Sequence, residues 1–167
     1  GYLGSGSSDF KHSKYNKYSK DYQKAKLVKY DKNEKIEIES AYTKGYDSYF
    51  YDAKQTKDGY IAVGSAAYTK TQVKEKTKDG LIVTYDKNGK QINSKTLQIA
   101  GDTKFTKVVV MDDGYLVIGQ SILENMTIGN DPDGGAIMVK YDFDLKEKWR
   151  TNYGGSKSGI FNDVVVD

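Results

Sequence analysis

The phrase Asp113-Gly114-Tyr115-Leu116-Val117-Ile118-Gly119 limits what this chain can fold into more than any other. Asp-Gly favours a tight hairpin turn, because these residues tolerate the positive φ values that two-residue loops need. The apolar run behind it has the length of a strand. The same phrase stands upstream as Asp58-Gly59-Tyr60-Ile61-Ala62-Val63-Gly64, and again, without its Asp, as Gly1-Tyr2-Leu3-Gly4-Ser5-Gly6. Copies about 55 to 58 residues apart define a tandem repeat, and periods of that order belong to propellers and solenoids.

A second phrase keeps the same step. Leu27-Val28-Lys29-Tyr30-Asp31, Ile82-Val83-Thr84-Tyr85-Asp86 and Met138-Val139-Lys140-Tyr141-Asp142 each end on Tyr-Asp and run into a turn. The complete unit then reads as four strands: Tyr49 to Thr56, Tyr60 to Ala66, Asp79 to Asp86 and Gln91 to Ile99. Lys57-Asp58-Gly59 and Lys87-Asn88-Gly89-Lys90 are the tight turns. The next unit repeats this as Phe105 to Met111, Tyr115 to Ser121, Ala136 to Asp142 and Glu147 to Tyr153. The expected fold is therefore all-β, built of tandem four-stranded antiparallel meanders. The units span about 1–45, 46–101 and 102–155, with a lone first strand at 161–167 that matches Phe105 onward. The second and third strands are continuously apolar, which suits burial on both faces. The core is expected at Phe50, Phe105, Phe161, Ile61, Val63, Ile82, Val108 to Val110, Leu116, Ile118 and Met138.

Composition removes several classes of function. The chain has 167 residues, no Cys, a single His (His12) and a net charge of +3. Disulfides, thiolate metal sites and Cys nucleophiles are excluded. A lone His gives a Ser-His-Asp triad one poor candidate and leaves no His pair for zinc. Arg150 is the sole Arg, so the bidentate donors that read phosphates and bases are scarce and nucleic acid is disfavoured as a partner. No run reaches the roughly 18 apolar residues of a membrane-spanning helix. Any signal or lipid anchor would lie outside these residues.

The phrases Asp113-Gly114-Tyr115-Leu116-Val117-Ile118-Gly119, Asp133 to Asp142 and Lys148-Trp149-Arg150-Thr151-Asn152-Tyr153-Gly154-Gly155 resemble the β-propeller repeats of bacterial secreted and surface lipoproteins. These group loosely with WD40-like and quinoprotein-like propellers. The resemblance covers nearly the whole chain. It implies four-stranded blades, a first strand near a central axis, an extracellular or cell-surface location and a role in binding. About three blades are expected, split at the termini, as part of a longer propeller. The two open edges, at Tyr2 to Gly6 and Phe161 to Asp167, could pair with each other within the chain or across a homodimer. Trp149 with Gly154-Gly155 resembles the tryptophan-docking motif of quinoprotein blades. Ile38 and Ile92 stand near its place in the other units. No cofactor is inferred.

A meander puts the tight hairpins at one end and the long connections, Ser7 to Lys26, Ala67 to Lys78 and Ile122 to Gly135, at the other. Binding residues favour long loops on a rigid scaffold. The candidates are therefore Lys14, Tyr15, Lys17, Tyr18, Tyr22, Tyr68, Asn125 and Asp131. The first loop interleaves Tyr with Lys11, Lys14, Lys17, Lys20, Lys24 and Lys26, a pattern suited to an anionic polymer such as a wall polymer, an acidic glycan or a nucleic acid strand, although charge runs of this kind are more often simply solvated. Asp131 and Asp133 are candidate hard-oxygen metal ligands, although Asp-Pro-Asp-Gly is also an ordinary turn. Asp31, Asp86 and Asp142 recur in every unit, which marks them as turn caps. The runner-up reading is an enzyme. Some propellers hydrolyse glycans with paired axial carboxylates, and Asp52, Lys107 and Asp163 share the inner-strand position here. A protein-docking scaffold is the third reading.

Overall fold

The computed structural model describes residues 1–10, 22–99, 101–122, 135–153 and 159–166. Among these, eleven strands and one short helix form three antiparallel sheets. The first sheet holds β1 (Tyr2–Phe10), β2 (Tyr22–Tyr30) and β3 (Ile36–Ala41) in that order. The second holds β4 (Asp47–Gln55), β5 (Gly59–Ala67), β6 (Asp79–Asp86) and β7 (Gln91–Leu97), with helix α1 (Lys70–Glu75) between β5 and β6. The third holds β8 (Asp102–Met111), β9 (Gly114–Ile122), β10 (Gly135–Tyr141) and β11 (Glu147–Tyr153). Each strand pairs with its sequence neighbours, so every sheet is a meander.

The sheets stack face to face. Successive side chains of a strand point to opposite faces, and β5 uses both: Tyr60 and Ala62 enter the layer against the first sheet, Ile61 and Val63 the layer against the third. β6 does the same, with Leu81 and Val83 on one side and Ile82 on the other. Phe50 fills the first layer and Phe105 the second, where its ring lies over the bare Cα of Gly80. Each fully buried side chain of this size contributes roughly 1.5–3 kcal/mol. The expected core holds, with four exceptions. Val109, Val110, Met138 and Phe161 are only half-buried, and Ile137 and Val139 carry the layer beside Met138.

The Tyr-Asp phrase makes one turn three times. In each copy the Asp side chain accepts from the amides two and four residues on: Asn33 and Lys35 to Asp31, Asn88 and Lys90 to Asp86, Asp144 and Lys146 to Asp142. The residue three after each Asp takes a left-handed backbone: Glu34 (φ 63°), Gly89 (φ 80°) and Leu145 (φ 61°). The glycine of the other phrase has a steric reason. A Cβ at Gly59 would overlap the carbonyl oxygen of Tyr85, and one at Gly114 that of Tyr141.

Four expectations need correction. The first long connection is shorter than Ser7 to Lys26, because β1 runs on to Phe10 and β2 starts at Tyr22. Residues 159–166 form no strand. Pairing of that segment with β1 within one chain does not occur either: among the described residues β1 pairs with β2 alone. The Trp149 position is also shifted. A bulge at Lys148 sets Trp149 opposite Lys140, and matching bulges place Ile38 and Asn93 there, not Ile92. Trp149 is 47% exposed.

The left-handed turn position supplies a stability test. Glu34 is exposed and pays the strain of a non-glycine residue there, so Glu34→Gly should stabilise by about 0.5–1 kcal/mol. Leu145 has the same backbone but is buried in the second layer. Leu145→Gly should therefore destabilise by roughly 2 kcal/mol or more, despite the relieved strain. Urea midpoints of the two variants should move in opposite directions.

Candidate functional site

Two concave regions lie at opposite ends of the stacked sheets. At the hairpin end a cleft of about 630 Å³ opens between the second and third sheets. One wall carries Ile92, Asn93 and Thr84, the other Val110, Tyr115 and Phe143. Tyr115 and Phe143 meet edge to face at 5.5 Å, and both Ile92 and Phe143 remain exposed. Asn93 Nδ2 donates to the Asp144 carbonyl across the cleft at 3.4 Å. Asp58, Asp112 and Asp144 stand around the opening with Lys57. Burial, and then the charge of Asp58, push the Tyr115 hydroxyl above its usual range.

At the other end a shallower groove of about 480 Å³ contains Tyr42, Lys44, Tyr68, Gln72, Asp79 and Ser94. Here the structure places one predicted residue, Tyr68. Its hydroxyl lies 2.8 Å from that of Tyr42, and burial pushes it strongly up. Helix α1 shapes this groove. Thr69 caps it through the Gln72 amide, and the Gln72 side chain accepts from the Thr69 amide in return. Gln72 Nε2 also donates to Asp79 Oδ1 at 2.9 Å; burial holds that carboxyl above the ordinary range and the Gln72 bond works against it. The capping pattern Thr69-x-x-Gln72 was present in the sequence, so α1 was findable.

Tyr22, also predicted, is half-buried in β2 and meets Tyr46 edge-on at 5.3 Å. Lys24, counted with the basic loop, is buried instead. Its ammonium donates to the carbonyls of Gly45 (2.6 Å) and Tyr46 (3.1 Å), and burial lowers its pKa while Asp47 opposes the shift. Lys14, Tyr15, Lys17, Tyr18, Asn125, Asp131 and Asp133 lie outside the described residues.

The inner-strand trio is engaged structurally. Asp52 Oδ2 accepts from the Val108 amide at 3.0 Å and Oδ1 from Lys54 at 3.1 Å. Asp163 pairs with Lys107 at 3.6 Å. Among the described residues no three His, Asp or Glu gather as a metal-holding group, and no helix is long and apolar enough to cross a membrane. Neither a protein-family model nor a curated protein matches this chain.

The hairpin end of the third sheet titrates in acid. Lys140, buried between the turns, donates to Asp113 and to Met111 Sδ. That bond holds Asp113 below the usual carboxylate range; the Lys148 bond, and then the turn amides, do the same for Asp142. A depressed carboxyl stabilises the fold above its unfolded pKa, near 3.9, and that stability is lost as pH falls through the folded value. Asp113→Asn should therefore melt below the parent at pH 7, and the two melting temperatures should converge as the pH falls below the usual carboxylate range. A gap that persists in acid would assign the effect to shape instead of charge.

Proposed function

We propose that the stacked meanders are blades of a propeller-type repeat domain, and that the domain is a non-catalytic binding module of a secreted or cell-surface bacterial protein. The repeat phrases and the stacking of each first strand on the preceding sheet support the blade reading. The location rests on the resemblance to lipoprotein propellers and on the absence of Cys from the sequence. The cleft at the hairpin end carries the functional reading. It has an aromatic and aliphatic interior with a rim of three carboxylates against one ammonium. Apolar walls with a few polar groups at the mouth are the usual make-up of a ligand site. This rim attracts basic groups and repels polyanions. The ligand class it fits best is an extended protein segment that pairs an apolar side chain with a flanking Lys or Arg. An anionic wall polymer suits the Lys-rich first loop better than this cleft. The hydrolase reading is weaker, because Asp52 and Asp163 both spend their carboxylates on neighbouring groups.

The peptide acetyl-Lys-Leu-Lys-amide is a suitable probe, with poly-glutamate as its opposite. Titration followed by NMR should move resonances of Ile92, Tyr115 and Phe143 with the basic peptide, and not with poly-glutamate. Phe143→Ala should weaken binding by about tenfold, the cost of one well-packed aromatic contact. Because Phe143 is half outside the core, its melting temperature should change little. Shifts confined to the long-loop end, or stronger response to poly-glutamate, would refute the assignment.

A further inference from the structure

We infer that the groove lined by Tyr42, Tyr68, Gln72, Asp79 and Ser94 is a binding site for a neutral sugar unit. One wall comes from the end of β3 and its connection to β4, the other from α1, β6 and β7. Its volume of about 480 Å³ falls in the range of small-molecule sites, roughly 300–1,000 Å³. Every side chain that lines it ends in a hydroxyl, an amide, a carboxylate or an ammonium. The cleft at the hairpin end is walled instead by Ile92, Val110 and Phe143. The groove therefore has no seat for an aliphatic side chain and suits a molecule that donates and accepts hydrogen bonds over its whole surface. Its one carboxylate, Asp79, is matched by one ammonium, Lys44. The lining thus carries no net charge and favours a neutral molecule over a polyanion or a polycation.

The carboxylate of Asp79 is the least expected group in that wall. It is 9% exposed, and among the described residues its one hydrogen-bond partner is Gln72 Nε2 at 2.9 Å. A buried carboxylate is costly unless hydrogen bonds replace its water shell, and a single neutral amide replaces little of it. The repeat itself does not need the group. Asp79 stands one residue before Gly80, and the same place is held by Lys24 before Ala25 and by Gly135 before Ala136. The aspartates that cap the turns recur in all three units, whereas this one occurs once. A buried acid that the fold does not require, at the wall of a groove, is a receptor for hydroxyl donors.

The neighbouring groups are fixed in place with donors to spare. Gln72 Oε1 accepts from the amides of Tyr68 (2.8 Å) and Thr69 (3.1 Å), which turns Nε2 toward Asp79. A side-chain amide has two N–H donors, and Asp79 takes one. The Tyr42 and Tyr68 hydroxyls, 2.8 Å apart, carry two hydrogens and share one between them. Among the described residues neither the second Gln72 hydrogen nor the second tyrosine hydrogen has an acceptor. Sugar hydroxyls each donate and accept, so they match two spare donors beside an accepting carboxylate. The half-buried ring of Tyr68 offers an apolar surface to sugar C–H groups. Groups held this way bind without first having to be ordered. Among the described residues the groove has no second carboxylate, so its geometry supports binding and not glycoside hydrolysis, which takes two.

The test is an NMR titration of the intact 167-residue chain with methyl glucoside, cellobiose and chitobiose. Cyclohexanol, a ring with a single hydroxyl, and polygalacturonate, an acidic sugar polymer, are the controls. At millimolar concentration at least one of the three sugars should shift the amides of Tyr68, Gln72 and Ser94, and cyclohexanol should not. Asp79→Asn should weaken that sugar by about tenfold or more, since a neutral acceptor replaces a charged one. The new side chain can still accept from Gln72, so the melting temperature should hold or rise. Tyr68→Phe keeps the ring, removes one hydroxyl and should weaken the same sugar with little change in melting temperature. Failure of the basic peptide at the hairpin-end cleft leaves this site standing, because the two share no residue. No shift with any of the three sugars overturns the inference, as do shifts confined to the hairpin end. Tighter binding of polygalacturonate than of the neutral sugars, or an affinity unchanged in both variants, overturns it too.

Discussion

In the second sheet, the two middle strands pack into core layers on both faces, and the rest of the architecture follows from that. A strand that is apolar on one side needs one cover; Tyr60 to Val63 and Leu81 to Val83 need two. The chain supplies the covers by repeating itself, so that each sheet is the lid of the next. The first strand is the instrument of that stacking. Phe50 and Phe105 project from it into the layer shared with the preceding sheet, and the Asp52 carboxylate reaches across to the Val108 amide. That hydrogen bond ties two successive first strands directly, so the stack is held by polar as well as apolar contacts.

The turns make the stack uniform. An Asp that caps its own turn through amides two and four residues away sets the geometry locally, without help from the core. This is why three units with different outer strands close in the same way. It also explains why one backbone conformation is occupied by Glu34, Gly89 and Leu145 in turn: the side-chain cap tolerates whichever residue the surroundings favour. In the third unit that residue is Leu145, because the position there faces the core.

Much of the fold could be read from the residues. The repeat phrases located nearly every strand to within two or three positions, since period and turn chemistry agreed. The failures have identifiable causes. β1 and β2 extend into Ser-, Lys- and Tyr-rich sequence with no apolar alternation, so nothing marked them as strands. Lys24 looked solvated because its spacing resembles that of its neighbours; only the folded chain brings the Gly45 and Tyr46 carbonyls to its ammonium. A bulge of one residue moved the Trp149 position past what spacing alone could resolve. The binding surface was the least legible. Long loops drew attention to one end, and Tyr68 does line a groove there. The larger cleft is assembled at the other end from Ile92, Tyr115 and Phe143, which are far apart in sequence and individually unremarkable.

The seat of Phe105 on Gly80 bears on how the units find their proper neighbours. The equivalent positions in the other sheets are Ala25 and Ala136, and each carries a methyl group where Gly80 carries none. Repeats this similar risk docking in the wrong order while the chain collapses, since any first strand could settle on any sheet. A ring that needs a bare Cα recognises only one of the three seats. The missing methyl is thus an address in the folded stack: it favours the seating of the third unit on the second over a seat that carries an alanine.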